Sequence, residues 1–373
     1  MKRLLLPATL LFLVLNSFCT NGAKNASPTI TTEEADTAQV TLLVAGDLMQ
    51  HSGQFEAARQ SDGTYNYDYV FELVKPEISK ADVAIANFEV TLGGQPYSGY
   101  PCFSAPDEYF TAAVDAGFDI MLTANNHCCD RRAKGLERTI EVMDKANIPH
   151  LGTYNNAEER EQNYPLLYEK NGIRFVLINF TYGTNGIPVP KPFIVNWQDT
   201  TQIAKDIEKA KTMNPDVIIA FPHWGIEYAQ LPNEEMRNLT DWMLSRGVDH
   251  VIGGHPHVLQ PFEVREYNGE KHLVAYSLGN YVSNQSRPNT DGGGMVKLVF
   301  MKVNDKTSLT WSGYTLHWVS RPAVSHKKNY RIYPVGYPTD SMNAQEKAQR
   351  QKFIISQRTL FQKHNKGIEE YQY

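Results

Sequence analysis

Short apolar segments alternate with amphipathic segments along most of the chain, from Val40 to Asn280. The apolar segments have the length and composition of strands that are buried on both faces of a sheet. These segments predict strands at 40–46, 82–87, 118–124, 173–180, 216–222, 249–254 and 272–280.

The amphipathic segments between these strands predict helices. The predicted helices lie at 106–117, 130–148, 199–213 and 233–247. In the second helix, Leu136, Ile140 and Met143 recur at spacings of three and four residues, which places them on one helical face. Alternation of strands with helices predicts an α/β fold in which helices cover the faces of a sheet.

The pattern changes after Asp291. GGGMVKLVFMKVND and SLTWSGYTLHWVS predict two long antiparallel strands around a turn at 304–306. The stretch 343–364 predicts a terminal helix. We therefore divide the chain into an N-terminal segment (1–39), a main α/β domain (40–290) and a C-terminal extension (291–373).

The N-terminal segment predicts export. Lys2 and Arg3 precede the apolar run LLLPATLLFLVLNSF, whose length suits a secretory signal better than a membrane span. A polar tether follows at 27–39. Cys19 lies where a lipoprotein carries its lipidated cysteine, although the preceding NSF suits such a site poorly; signal cleavage and an uncleaved anchor are the alternatives. In each case we expect the protein in the cell envelope, on the periplasmic or outer face, with membrane contact only through this segment.

Composition narrows the class of protein. Hydrophobic residues make up 42% of the 373 residues, which is enough for a substantial core. The formal net charge of −5 and the lack of a long basic run give no support for a nucleic-acid partner. Four cysteines are too few for a disulfide-built scaffold, and we expect Cys102, Cys128 and Cys129 to be buried thiols.

Polar residues gather where the predicted strands end. Each is ordinary alone: Asp47 could cap a helix, and Asn126 could occupy a turn. Together they predict a metal centre, because the carboxyl ends of parallel strands meet at one edge of a sheet. Mixed imidazole and carboxylate donors favour one or two divalent transition metals per chain, such as Mn, Fe or Zn, over Ca or Mg. The residues are Asp47, Asn87, Glu89, Asn125, Asn126, His127, Asp130, His223, Glu227, His255, His257 and Asn280.

The segment GGHPH contributes two imidazoles, those of His255 and His257. Residues at i and i+2 of an extended segment point to the same side. Pro256 favours an extended conformation at His255, and the two preceding glycines allow close approach of the backbone. We therefore expect an extended segment in which both imidazoles face one metal centre.

Six motifs carry a family resemblance. They are GDLM, NFE, ANNHCCD with KGLERTI, HWGIEY, GGHPHVLQPFE and YSLGNYV, in this order between Val40 and Val282. The chain resembles the bacterial capsule-synthesis protein CapA family, which is associated with poly-γ-glutamate and is similar to calcineurin-like metallophosphatases. The resemblance implies a four-layer αββα metallophosphatase-like sandwich, here with a C-terminal antiparallel β extension and a terminal helix.

The resemblance also implies roles for individual residues. Asp47 and His257 would hold a first metal, and Glu89 would bridge it to a second. The second metal would be held by the remaining ligands. The full set of implied ligands is Asp47, Glu89, Asn126, His223, His255 and His257.

The same resemblance implies catalytic and substrate-binding residues. His127 would protonate the leaving group or stabilise the developing charge, and Asp130 would orient His127. The residues expected to contact substrate are Asn87, Asn125, Glu227 and Asn280.

One departure from the calcineurin-like pattern affects the first metal. Those enzymes usually carry Asp-x-His at the first strand, whereas Met49 occupies the second position here. Occupancy by one metal and occupancy by two both remain open. His51 or Asn87 could replace the missing ligand.

Three functions remain open from the sequence. The first is a hydrolase in which metal-activated water cleaves a γ-glutamyl amide of an anionic envelope polymer. The second is a phosphoesterase of the calcineurin-like type. The third is a non-catalytic, membrane-tethered subunit that exports or anchors the polymer with capsule-synthesis partners. A polyanionic substrate needs basic residues, and the available ones are scattered along the chain at Arg131, Arg132, Lys134, Lys191 and Arg287.

Overall fold

The computed structural model describes residues 36–373, except 268 and 328. The predicted export signal, most of the tether and Cys19 lie outside the described residues. Residues 36–373 form one compact unit, which includes the stretch after Asp291. No helix in this described part of the chain has the length and apolar character needed to cross a membrane.

The helices and strands follow one another in this order. The first elements are β1 (Thr37–Leu48), α1 (Ser52–Ala58), α2 (Asp68–Phe71), α3 (Lys75–Ile78), β2 (Val83–Phe88), α4 (Asp107–Asp115), β3 (Ile120–Leu122) and α5 (Arg132–Lys145). The next are β4 (His150–Leu151), β5 (Thr153–Tyr154), α6 (Ala157–Asn163), β6 (Leu166–Lys170), β7 (Ile173–Thr181), β8 (Ile194–Val195), α7 (Thr200–Thr212), β9 (Val217–His223), α8 (Glu234–Ser245) and β10 (His250–Ile252). The last are β11 (Phe262–Tyr267), β12 (Glu270–Ala275), β13 (Asn280–Val282), β14 (Gly292–Val303), β15 (Lys306–Val319), α9 (Pro322–Ser325), β16 (Ile332–Pro334), α10 (Ala344–His364) and β17 (Glu369–Glu370).

Two large sheets organise the described residues. The first has the strand order β16-β15-β14-β1-β2-β3-β4, with β13 beside β1 and β17 beside β15. Strands β1 to β4 are parallel, whereas β14, β15 and β16 are antiparallel and form one edge. The second sheet has the order β11-β12-β10-β9-β7-β6, and its four central strands are parallel.

The side chains of β1 explain how the sheets pack. Leu42 and Val44 belong to a core that also contains residues of the second sheet, whereas Leu43 and Ala45 belong to a core shared with α1 to α4. This alternation follows from the two-residue period of a strand. Helices α7 and α8 contribute to the core of the second sheet. The four-layer α/β sandwich expected from the sequence is therefore confirmed.

The C-terminal elements also follow the expected pattern. β14 and β15 pair in antiparallel register around the predicted turn, and β14 pairs with β1. Helix α10 begins at a capping box, in which the side chain of Asn343 accepts from the backbone of Glu346 and the side chain of Glu346 accepts from the backbone of Asn343. The antiparallel extension and the terminal helix are confirmed.

Two sequence-based expectations were wrong. The stretch 272–280 is not one strand: β12 ends at Ala275 in the second sheet, and β13 begins at Asn280 in the first. Gly279 lies between them with a φ of 66°, a conformation that favours glycine. Cys128 and Cys129 are buried thiols, but Cys102 is exposed because it lies in a surface loop after β2.

Phe300 of β14 provides a test of the packing between the sheets. It is 1% exposed, and its ring lies 5.3 Å from the ring of Phe175 and 5.4 Å from that of His250, both in the second sheet. We expect Phe300→Ala to lower the free energy of unfolding by about 3–5 kcal/mol, because a buried aromatic ring is replaced by a cavity. Urea denaturation measures this change.

Val303 on the same strand is the matched control, since its side chain is 40% exposed. Val303→Ala should change the free energy of unfolding by about 0.5 kcal/mol or less. A comparable loss in the two variants would contradict the packing of β14 against the second sheet.

Candidate metal centre

Asp47 lies at the centre of the polar cluster because of the strands on either side of it. In the first sheet, β1 places Asp47 beside Asn87 of β2 and beside Asn280 of β13. The Nδ2 of Asn87 donates to Oδ1 of Asp47 over 2.8 Å. The Oδ2 of Asp47 is 3.2 Å from Nδ1 of His257 and accepts from the backbone N of His255 over 3.4 Å. The first strand and the HPH segment are thus joined through one carboxylate.

Glu89 is a second buried carboxylate, and it faces two imidazoles. Its Oε1 lies 3.6 Å from Nε2 of His223 and 3.6 Å from Nε2 of His257. This oxygen has no hydrogen-bond partner among the described residues, and the side chain is fully buried. Burial, and next the negative charge of Asp47, raise the pKa of Glu89 well above its ordinary value. A cation bound beside this carboxylate would offset the cost of burying its charge.

The HPH segment differs from the extended geometry that the sequence predicted. The φ angles are 95° at His255 and 59° at His257, so both residues have left-handed backbone conformations that cost energy for side chains other than glycine. The Nδ1 of His255 is buried and has no hydrogen-bond partner within the described part of the chain. Strained backbone and an unpaired ring nitrogen are both typical of a ligand-binding loop.

His223, the last residue of β9, contacts Asn126 in the loop after β3. The Nε2 of His223 is 2.8 Å from Oδ1 of Asn126. Burial, followed by the proximity of His255 and His257, lowers the pKa of His223 well below its ordinary value. The imidazole is therefore neutral at physiological pH, which is the form that binds a metal.

Distances between ligand atoms define two overlapping groups. One contains Glu89, His255 and His257, and the other contains Asp47, Glu89 and His223; within each group the atoms lie within 4.8 Å of one another. Glu89 belongs to both groups, in the position that the resemblance implies for the bridging ligand. The two groups place His257 with His255 and His223 with Asp47, whereas the implied scheme places His257 with Asp47 and His223 with His255. The ring of His257 also contacts both Asp47 and Glu89, as the implied scheme requires.

His127 and Asp130 form a pair beside this cluster. The Nδ1 of His127 is 2.8 Å from Oδ2 of Asp130, which also accepts from the backbone N of Phe103 over 2.7 Å. Burial raises the pKa of Asp130, while its hydrogen bond with His127 opposes that rise. A proton on Nδ1 of His127 leaves Nε2 as the nitrogen that can exchange a proton with another molecule.

The four expected substrate-binding residues lie in different surroundings. Asn87, Asn125 and Asn280 are buried, and their amides bond to protein groups: Asn125 donates to the backbone O of Phe88, and Oδ1 of Asn280 is 3.1 Å from Nδ1 of His257. These amides hold the cluster in place. Glu227 is the exposed member of the four.

Met49 and His51 do not extend the ligand set. Met49 is 1% exposed and packs in the core between the first sheet and α1 to α4. The Nδ1 of His51 is 3.2 Å from Oε1 of Gln54 and accepts from the backbone N of Asn284 over 3.3 Å. Burial lowers the pKa of His51 to about 4.

Sequence reasoning missed two residues in the loop after β7. Asn185 accepts from Nδ2 of Asn126 over 3.2 Å, and its own Nδ2 is 3.4 Å from Nδ1 of His127. The ring of Tyr182 lies 4.4 Å from that of His255. A signal was available, since both residues lie within five positions of the end of the predicted strand 173–180.

The donor set suits a divalent transition metal. It combines carboxylate, imidazole and amide oxygen ligands, and two of its buried atoms, Oε1 of Glu89 and Nδ1 of His255, lack a partner among the described residues. Gly254 accommodates the cluster, since a Cβ at this position would lie 2.8 Å from Oδ1 of Asp47. The fold and site together define a four-layer α/β protein with a candidate metal centre at the carboxyl ends of its parallel strands.

The chain belongs to the family described as "Bacterial capsule synthesis protein PGA_cap", whose model matches residues 41–285. It is 29% identical over 271 residues to "Capsule biosynthesis protein CapA" of Bacillus anthracis, covering 69% of this chain and 63% of that protein. It is 27% identical over 311 residues to "PGA biosynthesis protein CapA" of Bacillus subtilis (strain 168), covering 79% of this chain and 76% of that protein. The resemblance found in the sequence is thereby confirmed.

Two solved structures align with most of the chain. The NAD nucleotidase of Haemophilus influenzae aligns with 91% of this chain and 65% of its own, at 12% identity and a TM-score of 0.48. The calcineurin-like phosphoesterase YfkN of Bacillus subtilis aligns with 87% of this chain and 98% of its own, at 17% identity and a TM-score of 0.44.

His255→Ala tests the metal centre. We expect the purified protein to contain one or two equivalents of Mn, Fe or Zn, and the substitution to lower this content, because it removes an imidazole from the cluster. Elemental analysis by inductively coupled plasma mass spectrometry measures the content. His364→Ala, at the end of α10, is the control and should leave the metal content unchanged. Equal metal content in the two variants and the unaltered protein would refute the assignment of His255 as a ligand.

Proposed function

We propose that this protein is a metal-dependent hydrolase of the cell envelope that processes an anionic polymer during capsule synthesis. The observation that carries the proposal is the buried cluster around Glu89, whose Oε1 lies 3.6 Å from each of two imidazoles and has no hydrogen-bond partner among the described residues. Membership of a capsule-synthesis family supports the biological setting.

The ligands of this centre would be Asp47, Glu89, Asn126, His223, His255 and His257. A divalent transition metal bound there would lower the pKa of a water molecule and polarise the group under attack. The left-handed backbone at the HPH segment holds its two imidazoles near Glu89. The centre is therefore preorganised for a cation.

His127 would supply the proton to the leaving group. Asp130 fixes the proton of the imidazole on Nδ1 through the 2.8 Å contact, which leaves Nε2 to donate. The ring of His127 packs edge-on against Phe103, with 4.5 Å between the ring centroids, which restricts its rotation. Asp130 is thus a positioning residue that acts through His127.

The γ-glutamyl amide is the preferred substrate class. The relative from Bacillus subtilis is named a PGA biosynthesis protein, and the resemblance in the sequence associates the family with poly-γ-glutamate. A phosphoester is the second candidate, and Glu89 favours it, because a carboxylate shared by two ligand groups suits the two-metal centres of phosphatases. Met49, which supplies no imidazole, favours the third candidate, a non-catalytic subunit.

Export completes the proposal. The predicted signal segment and Cys19 would place the protein on the periplasmic or outer face of the envelope, anchored by lipid if Cys19 is modified. Its partners would be the polymer and the membrane proteins of capsule synthesis.

Hydrolysis by the Mn-loaded protein tests the proposal directly. We expect release of glutamate from γ-glutamyl peptides, and a fall in kcat of about 10²–10⁴-fold in His127→Asn, because the proton donor is lost. The metal content of this variant should equal that of the unaltered protein. Product formation is followed by chromatography.

The class of substrate that is cleaved distinguishes the three candidate functions. Activity on phosphodiesters alone would assign a phosphoesterase. Metal-loaded protein that cleaves neither class would exclude the hydrolase and favour the non-catalytic subunit. An unchanged kcat in His127→Asn would exclude His127 as the proton donor.

A further inference from the structure

The loop 283–290 lies next to the metal centre and is tied to it through Asn280. The Nδ2 of Asn280 donates to Oε1 of Gln285 over 2.9 Å and to the backbone O of Thr290 over 3.0 Å. The Oδ1 of the same amide is 3.1 Å from Nδ1 of His257. One side chain therefore fixes both the loop and a candidate metal ligand.

Arg287 lies in the middle of this loop, and contacts fix both its backbone and its guanidinium group. Its backbone O accepts from the backbone N of Thr290 over 3.2 Å and from Oγ1 of Thr290 over 2.7 Å. Its guanidinium carbon lies 5.2 Å from the ring centroid of Tyr228. A stack of this kind orients the guanidinium plane and leaves its edge available for hydrogen bonds.

Tyr228 connects Arg287 to the centre. Its ring lies 6.2 Å from that of His257, and its backbone N donates to the backbone O of Pro256 over 2.8 Å. Tyr228 has a φ of 66°, so its ring is presented by a constrained backbone. The guanidinium is thus one aromatic ring away from the HPH segment.

Arg287 takes part in no ion pair within the described part of the chain. The ion pairs found in the described part of the chain involve other arginines, such as Arg138, Arg160 and Arg265. Arg131, another basic residue singled out in the sequence, donates to Pro96 and Ser98 instead. Arg287 is exposed, so its N–H groups can meet an incoming anion.

We propose that Arg287, stacked on Tyr228, binds an anionic group of the substrate beside the bond that the metal centre cleaves. A guanidinium binds carboxylate and phosphate oxygens through paired hydrogen bonds, so either anion fits. A γ-glutamyl unit carries such a carboxylate on its α-carbon, close to the scissile amide. This inference rests on the proposed hydrolase and names the group that its substrate must carry.

Two matched pairs of chromogenic substrates test the inference. The first pair is γ-glutamyl-p-nitroanilide and its α-carboxamide, and the second is the p-nitrophenyl ester of thymidine 5′-phosphate with and without a 3′-phosphate. In Arg287→Gln, we expect the ratio of kcat/KM for the more anionic member to that of its partner to fall about tenfold to a hundredfold. A fall in this ratio for the first pair identifies a carboxylate as the group that Arg287 binds. A fall in the ratio for the second pair identifies a phosphate.

Two further variants complete the comparison. Arg287→Lys should give an intermediate ratio, because lysine keeps the charge but lacks the paired donors. Arg246→Gln is the matched control, since Arg246 is also exposed and stacks on an aromatic ring, 4.7 Å from that of Trp242. Its ratio should equal that of the unaltered protein. A ratio in Arg287→Gln equal to that of the control would overturn the inference.

A binding measurement separates this inference from the proposed hydrolase. Isothermal titration calorimetry would measure the binding of a γ-linked glutamate tetramer and, separately, of inorganic phosphate to the Mn-loaded protein. If no substrate is cleaved, the hydrolase fails, whereas a loss of affinity of about tenfold or more in Arg287→Gln alone would still support the anion site. Equal affinity in Arg287→Gln and Arg246→Gln, or undetectable binding by the unaltered protein, would refute it.

Discussion

Two carboxylates, Asp47 and Glu89, are buried side by side at the carboxyl edge of the first sheet, and the surrounding residues are arranged around their charge. Burying unpaired negative charge costs several kcal/mol, so such a pair persists only with compensating donors or a cation. The protein supplies neutral donors: Nδ2 of Asn87 reaches Asp47 over 2.8 Å and Glu89 over 3.2 Å. Three imidazoles complete the surroundings, and a bound cation would supply the positive charge that these neutral groups lack.

Amide side chains do much of the positioning in this centre. Asn125 holds the loop that carries Asn126 and His127, since its Oδ1 accepts from the backbone N of His127 over 3.1 Å. Asn280 holds His257 on one side and the loop 283–290 on the other. An amide both donates and accepts without adding charge, so it can orient ligands and leave the net charge of the cluster to the carboxylates.

Much of the fold could be predicted from the sequence because buried strands and amphipathic helices leave periodic patterns, as in β7 and α5. The position of the site followed too, since donors such as Asp47 and His223 stand directly at strand ends. The left-handed backbone of His255 and His257 could not be predicted, because tertiary contacts impose it. The break between β12 and β13 could not be predicted either, because the two strands belong to different sheets. The stack of Arg287 on Tyr228 joins residues far apart in the sequence, and a local pattern carries no information about such a contact.

The place of β14 in the first sheet also makes the centre depend on a strand that follows every candidate ligand in the chain. β1 carries Asp47 and pairs with β2 on one side. On the other side β13 pairs with its last residues and β14 with the rest, and β14 follows the HPH segment and β13 in the chain. Without β14, most of this edge of β1 would be apolar and unpaired, because β13 pairs only with Asp47 and Leu48. A nascent chain that ends before Gly292 already contains every ligand residue, yet it lacks the strand that closes β1. A metal bound at this centre would therefore depend on a strand that supplies none of its ligands.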